Sequence, residues 1–247
     1  MSDRFRVLLA YDGTDFSGSQ YQPELRTVQG ELEGALAKIG WQGKRVLFAG
    51  RTDAGVHAAG QVAAFDLDWS HTEEELTRAL NAVLPPDIAA TQILRTRNDF
   101  QPRYEALSRE YHYRILISPT RDPLQERYCW RVWPELDLRL MKRESRYLIG
   151  SHDFAALGTP HQPGGSTVRE IRRARWYKNG NSLIFEIVGN AFLYHMVRRI
   201  VIALVKIGKR EEPGSGIEDY LETPSGPPVQ GLAPARGLSL VKVEYRD

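Results

Sequence analysis

Residues 171–188 read IRRARWYKNGNSLIFEIV and contain the clearest fold signal in the sequence. Two segments with apolar residues, 171–177 and 183–188, flank Asn179-Gly180, a dipeptide typical of a tight β-hairpin turn. A hairpin joins antiparallel strands, whereas parallel strands need a long crossover connection. The segment therefore favours an α+β fold over a doubly wound α/β fold.

Hydrophobic periodicity extends this pattern to both sides of the hairpin. It predicts further strands at residues 4–11, 45–49, 61–67, 88–94, 111–117 and 238–245. Helices are predicted from Thr27 to Gly40, over 72–84 with a Thr72/Glu75 capping box, over 137–150 and over 192–207, with Gly/Pro-rich loops at 213–216 and 224–234. We expect two pseudo-symmetric subdomains, residues 1–105 and 106–247, each with mostly antiparallel sheet flanked by helices, and a catalytic cleft between them.

The composition is ordinary for a soluble globular protein, with 42% hydrophobic and 26% charged residues in a chain of 247. The longest apolar run, residues 200–205, is too short to span a bilayer, and the N-terminus has no signal-peptide apolar region, so we expect a cytoplasmic protein without membrane contact. The single cysteine, Cys129, excludes an intramolecular disulfide and a cysteine-based zinc site. No H-x-x-x-H pair occurs, and we expect no metal.

Charge is unevenly distributed along the chain. Residues 1–100 contain 10 Lys+Arg and 14 Asp+Glu, and residues 101–247 contain 23 and 17, so the balances are −4 and +6. The basic residues cluster at 139–146, 169–178 and 198–210. Such clusters can bind a phosphate backbone or can simply be solvated faces, and composition alone favours the second interpretation.

The densest functional signal is the segment 50–58, GRTDAGVHA. Two glycines flank Arg51, Thr52 and Asp53 directly after a predicted strand, and a carboxylate on a stiff loop at a strand end is well placed to face a ligand. The structural alternative is an Asx turn, in which Asp53 bonds to its own backbone.

This segment resembles the catalytic motif of the tRNA pseudouridine synthase A (TruA) family. Six more segments resemble that family in the right order: YDGTDFSGSQ at 11–20, LNAVLPPDI at 80–88, SREYHYRI at 108–115, GSHDF at 150–154, NAFLYHMVR at 190–198 and APARGL at 233–238. Two positions differ, since Ser19 replaces the family's usual Trp and Gln101-Pro102 replaces His-Ala before Arg103.

The resemblance implies an isomerase that converts uridine to pseudouridine at positions 38–40 of the tRNA anticodon stem-loop and acts as a homodimer. It implies that Asp53 is the essential carboxylate, which either attacks C1′ or removes a proton from C2′. Breaking the glycosidic bond develops positive charge on the sugar, which a carboxylate can stabilise or trap. The reaction needs no redox step and no new atom, so we expect no cofactor.

The resemblance also assigns roles outside the motif. Arg198 pairs with the catalytic Asp from across the cleft, and Tyr111 stacks on the flipped uracil and serves proton transfer at C5; the alternatives are a surface arginine and a core tyrosine. Arg51 helps to displace the base, unless it is a phosphate clamp. Arg103 and Leu238 are further substrate-binding candidates. Leu238 resembles the hydrophobic residue that packs near the catalytic Asp, although it is nearly as well explained as a plain core leucine.

Other polar residues and other functions are weaker candidates. His57 and His195 are interpreted as structural hydrogen-bonding residues, and Asp153 as a turn residue. Tyr11-Asp12-Gly13-Thr14 suggests a haloacid-dehalogenase-like phosphatase, but Ala10 occupies the position of its nucleophile. A noncatalytic tRNA-binding module would not need Asp53 in its loop.

Overall fold

A computed structural model describes residues 2–211 and 216–246, so most of the loop predicted at 213–216 lies outside the described residues. The strands are, in chain order, β1 Asp3–Tyr11, β2 Leu47–Phe48, β3 His57–Leu67, β4 Ile88–Thr96, β5 Ser108–Ile117, β6 Trp130–Val132, β7 Gly150–Asp153, β8 Val168–Asn179, β9 Ser182–Gly189 and β10 Leu238–Glu244. The helices are α1 Val28–Lys38, α2 Glu73–Val83, α3 Leu138–Ser145, α4 Met196–Lys209 and α5 Ile217–Glu222.

The chain divides into two compact units. The first comprises Met1–Leu107 with Ser239–Asp247, and the second comprises Ser108–Leu238. The sequence places the boundary after residue 105 and assigns the last strand to the second subdomain. None of the helices in the described ranges combines the length and the apolar character needed to cross a membrane.

The first unit is built on a sheet in the order β4-β1-β3-β10, with β2 also paired to β3. β1 is antiparallel to β3 and to β4, whereas β10 runs parallel to β3. Alternate residues of β1, namely Phe5, Val7 and Leu9, are fully buried, as the predicted alternation requires. Helix α1 begins after the Thr27 cap, as predicted, and α2 carries the predicted Thr72/Glu75 capping box.

The second unit contains a sheet in the order β5-β9-β8-β7, with β6 parallel to β5. The predicted hairpin is confirmed, because β8 and β9 pair antiparallel and Gly180 adopts the left-handed φ of +56° that the turn needs. α3 packs against α4 and against β8, and the apolar face of α4 is buried. The molecule is therefore α+β with mostly antiparallel pairing, as predicted.

Several predicted boundaries are wrong. The helix expected over 137–150 ends at Ser145, and after a short 3-10 turn Gly150 begins β7. The helix expected from 192 begins only at Met196, because His195 adopts a left-handed backbone with φ of 63°. β6 and α5, with 3 and 6 residues, were not predicted.

Candidate active site

Asp53 lies in the short loop between β2 and β3. Its side chain is partly buried, while the neighbouring Arg51 and Ala54 are exposed. The Val56 N–H donates to the Asp53 carbonyl at 3.1 Å, and Gly55 has a φ of +77°. The second glycine of the motif is thus required by the turn, since an L side chain resists that backbone conformation.

The backbone beside Asp53 is fixed by residues of the segment 11–20. The Ser19 N–H donates to the Thr52 carbonyl at 3.0 Å, and the Thr52 N–H donates to the Ser19 hydroxyl at 2.8 Å. Gly18 has a φ of +99°, and a Cβ there would lie 3.0 Å from the Thr52 carbonyl oxygen. The loop is therefore closely packed against the segment that follows β1.

Buried polar side chains complete this support. The hydroxyls of Tyr11 and Thr52 are 2.8 Å apart, and the Gln61 amide donates to the Gly50 carbonyl at 2.9 Å. Burial raises the pKa of Tyr11 to about 12, so its hydroxyl stays neutral at physiological pH. Nearby, the Gly13 N–H donates to Nδ1 of His57 at 3.0 Å, which is the structural role predicted for that histidine.

The candidate residues of the second unit lie on different elements. Tyr111, on β5, is 8% exposed, and its ring meets Phe192 edge-to-face at 5.2 Å. Arg198 lies in the first turn of α4, where its Nε donates to the Ala233 carbonyl at 2.8 Å. Leu238 is buried at the start of β10.

The six candidate site residues are divided between the two units. Arg51, Asp53 and Arg103 belong to the first unit, whereas Tyr111, Arg198 and Leu238 belong to the second. Arg51 and Arg103 are exposed. Asp153 ends β7 and accepts a bond from the Ala155 N–H at 3.0 Å, so it shapes the following turn as predicted.

A charged cluster on the β8–β9 hairpin was not anticipated from the sequence. Glu186 accepts hydrogen bonds from Arg173 at 2.6 Å and from Arg175 at 2.7 Å. Ligand atoms of Glu110, His112 and Glu186 lie within 4.8 Å of one another, a spacing compatible with a metal ion. The two arginines already compensate the charge of Glu186, which weakens that possibility.

Sequence reasoning also missed the residues that support the Asp53 loop. Ser19 and Thr52 are 33 positions apart in the sequence. Tyr11 is the last residue of β1, and Gln61 lies inside β3. The only sign of this support in the sequence was the presence of polar residues within otherwise apolar strands and beside the Gly-rich loop.

Comparisons with known proteins place these features in context. A family model described as tRNA pseudouridine synthase matches residues 8–105 and 145–246, which include Asp53 and Arg198 but not Tyr111. The chain is similar to tRNA pseudouridine synthase A of Moorella thermoacetica, with 40% identity over 242 residues that cover 97% of this chain and 98% of that protein. The corresponding protein of Fervidobacterium nodosum is 41% identical over 98% of this chain and 99% of its own length. That of Myxococcus xanthus is 37% identical over 99% and 92%.

Proposed function

The chain belongs to the tRNA pseudouridine synthase family, and from that premise we propose that it isomerises uridine to pseudouridine in tRNA with Asp53 as the essential carboxylate. The reaction breaks the N1–C1′ bond, turns the uracil and joins C5 to C1′, after which the C5 proton is lost and N1 gains a proton. Atoms and electrons balance without a co-reactant.

The observation that carries the assignment of Asp53 is the pair of hydrogen bonds that fixes the backbone of its loop. The carboxylate follows Thr52, whose N–H and carbonyl are both hydrogen-bonded to Ser19. A catalytic group must be held close to its productive geometry, and a loop fixed at the backbone meets that requirement. An ionised aspartate there can attack C1′ or remove the C2′ proton, and both routes need its negative charge.

The other candidates are proposed to act in the same reaction. Tyr111 offers a ring that can stack on the uracil and a hydroxyl for proton transfer at C5. Arg198, to which the family resemblance assigns a role beside the catalytic aspartate, is proposed as the third catalytic residue. The exposed Arg51 is suited to displacing the target base, and Arg103 and Leu238 to contacting the RNA around it.

The proposed substrate is uridine at positions 38–40 of the anticodon stem-loop, bound by a homodimer in the cytoplasm. Relatives named tRNA pseudouridine synthase A, which match 97% and 98% of this chain, support tRNA as the substrate class, and the positions within it are our proposal. A tRNA in which only these uridines are replaced by cytidine should therefore no longer be a substrate.

Asp53→Asn tests the central assignment. The substitution preserves the size of the side chain and removes its charge, so pseudouridine formation should fall about 100-fold or more while tRNA affinity changes only several-fold. Asp99→Asn is the matched control, because it makes the same change in the same unit at a side chain that is 83% exposed. An Asp53→Asn enzyme that keeps more than a few per cent of the wild-type rate would rule out Asp53 as the key group.

A further inference from the structure

The two hydrogen bonds between Ser19 and Thr52 have a consequence for the reaction itself. We propose that Ser19 is a positioning residue: through Thr52 it fixes the backbone that presents Asp53. This role rests on the proposed function, in which Asp53 is the essential carboxylate.

Thr52 is held at each of its polar groups. Its N–H donates to the Ser19 hydroxyl at 2.8 Å, and its carbonyl accepts from the Ser19 N–H at 3.0 Å. Its own hydroxyl lies 2.8 Å from that of Tyr11. Because both backbone groups of Thr52 are occupied, the peptide that links it to Asp53 cannot rotate without breaking a buried hydrogen bond.

Ser19 is in turn anchored to a helix. The first N–H groups of a helix have no partner inside it. In α1, the Val28 N–H donates to the Gly18 carbonyl at 3.2 Å and the Gln29 N–H donates to the Ser19 carbonyl at 3.0 Å. The connection thus runs from a rigid helix end through Ser19 to the residue before Asp53, and a site supported by a regular element is more precise than a free loop.

The hydroxyl of Ser19 is the one group in this set of hydrogen bonds that a substitution of Ser19 can remove without changing the backbone. Ser19 is 1% exposed, so water cannot substitute for it as the acceptor of the Thr52 N–H. In Ser19→Ala the backbone bond to the Thr52 carbonyl persists, whereas the Thr52 N–H loses its acceptor. The loop should then sample orientations in which Asp53 is displaced.

Ser19→Ala should therefore slow the chemical step without weakening RNA binding. We expect the single-turnover rate at saturating tRNA to fall about 10- to 100-fold, since small displacements of a catalytic group have effects of this order. The tRNA dissociation constant should stay within about threefold, because Ser19 is 1% exposed and offers RNA almost no surface.

Ser145→Ala provides the matched control in the second unit. Ser145 is 0% exposed, and its hydroxyl accepts from Trp176 at 3.0 Å and donates to the Met141 carbonyl at 2.7 Å. This variant loses a buried hydroxyl of the same kind, so its melting temperature should fall while its single-turnover rate stays at the wild-type value.

A second variant tests the hydrogen bond that the Thr52 side chain forms with Tyr11. Tyr11→Phe removes the partner of the Thr52 hydroxyl and leaves both backbone bonds to Ser19, so a smaller loss of rate is expected. In the Ser19→Ala/Tyr11→Phe double variant the two losses should not add, because both act on the placement of one residue. If Ser19→Ala does not fold, Ser19→Cys decides instead, because a thiol of nearly the same size is a much weaker acceptor for the Thr52 N–H, and an unchanged rate then overturns the proposal.

The outcomes separate this proposal from the one on which it rests. Ser19→Ala with a lowered melting temperature and a wild-type rate shows that Ser19 only stabilises the fold. A wild-type enzyme that forms no pseudouridine, or an Asp53→Asn variant that remains active, contradicts the proposed function instead.

Discussion

Tyr111 and Tyr113 lie on the same face of β5, two residues apart, and have different surroundings. Tyr113 is fully buried, its hydroxyl donates to the Pro234 carbonyl at 2.8 Å, and burial raises its pKa. Tyr111 keeps some exposure and packs against the edge of Phe192. Tyr111 is the tyrosine proposed to act on the base, whereas Tyr113 packs in the core and can therefore be used as its control.

Tyr111→Phe should slow product formation by about 100-fold if its hydroxyl moves a proton, while tRNA affinity and its salt dependence stay unchanged. Tyr113→Phe removes a buried hydrogen bond of the same chemical type, so it should lower the melting temperature and leave the rate intact. Single-turnover rates, binding titrations and thermal melts of both variants decide the matter. Equal rates for the two variants would mean that the Tyr111 hydroxyl has no chemical role.

How far single residues could be predicted depends on how local their signals are. Asp53 stands out in the sequence because a carboxylate lies between two glycines, and Gly55 does adopt the left-handed backbone that this pattern indicates. Its catalytic role stays a prediction. Ser19 carries no comparable signal, because its partner Thr52 is 33 residues away and only the fold brings them together.

The same distinction holds for secondary-structure elements. The hairpin of β8 and β9 and the caps of α1 and α2 were predicted correctly, since turn and cap signals lie within a few residues. The parallel pairing of β10 with β3 is non-local and has no signal of its own. α5 has only 6 residues, too few to show helical periodicity.

The arginine–glutamate cluster on the β8–β9 hairpin gives a pH prediction. Burial alone would raise the pKa of Glu186, but hydrogen bonds from Arg175 and Arg173 outweigh it and lower the pKa below its ordinary 4.5. A depressed folded-state pKa means that the stabilisation is complete above pH 4.5 and is lost as pH falls through the folded-state value.

Glu186→Gln should therefore lower the melting temperature at pH 7, by about 2–4 °C for each kcal/mol of lost stability. Between pH 5 and pH 3, which are about the limits of carboxylate titration, wild type should lose stability more steeply than the variant. Thermal melts across this range test the prediction. Parallel curves for the two proteins would show that the ion pairs contribute nothing to folding.

For the molecule as a whole, the proposed isomerisation transfers no electrons and adds no atoms. Turnover on prefolded tRNA in monovalent salt should accordingly persist in excess EDTA. Complete loss of turnover that zinc alone restores would contradict this, and Glu110, His112 and Glu186 would then be the first ligands to test by substitution.

The uneven charge of the chain suggests how the whole molecule holds RNA. With tRNA as the substrate, the +6 balance of residues 101–247 predicts that this part binds phosphates, and the structure distinguishes two groups among its basic residues. Arg173 and Arg175 are paired with Glu186. Arg139, Lys142 and Arg146, on and just after α3, are exposed and form no ion pair with any residue of the described ranges.

An arginine that must leave a carboxylate to meet a phosphate gains less than one that is solvated, so the α3 group should contribute more to tRNA binding. Each lost phosphate contact reduces the slope of log affinity against log salt by about 0.7 to 0.9. Replacing Arg139, Lys142 and Arg146 by Gln should flatten the slope of log affinity against log salt and weaken the binding of all substrate tRNAs alike. Replacing Arg173 and Arg175 by Gln should have a smaller effect.

Affinities measured over a salt series for wild type and both variants test this prediction, with Tyr111→Phe as the variant whose slope should not change. An unaltered slope in both basic variants would show that these side chains are solvated surface and that the RNA is held by other residues.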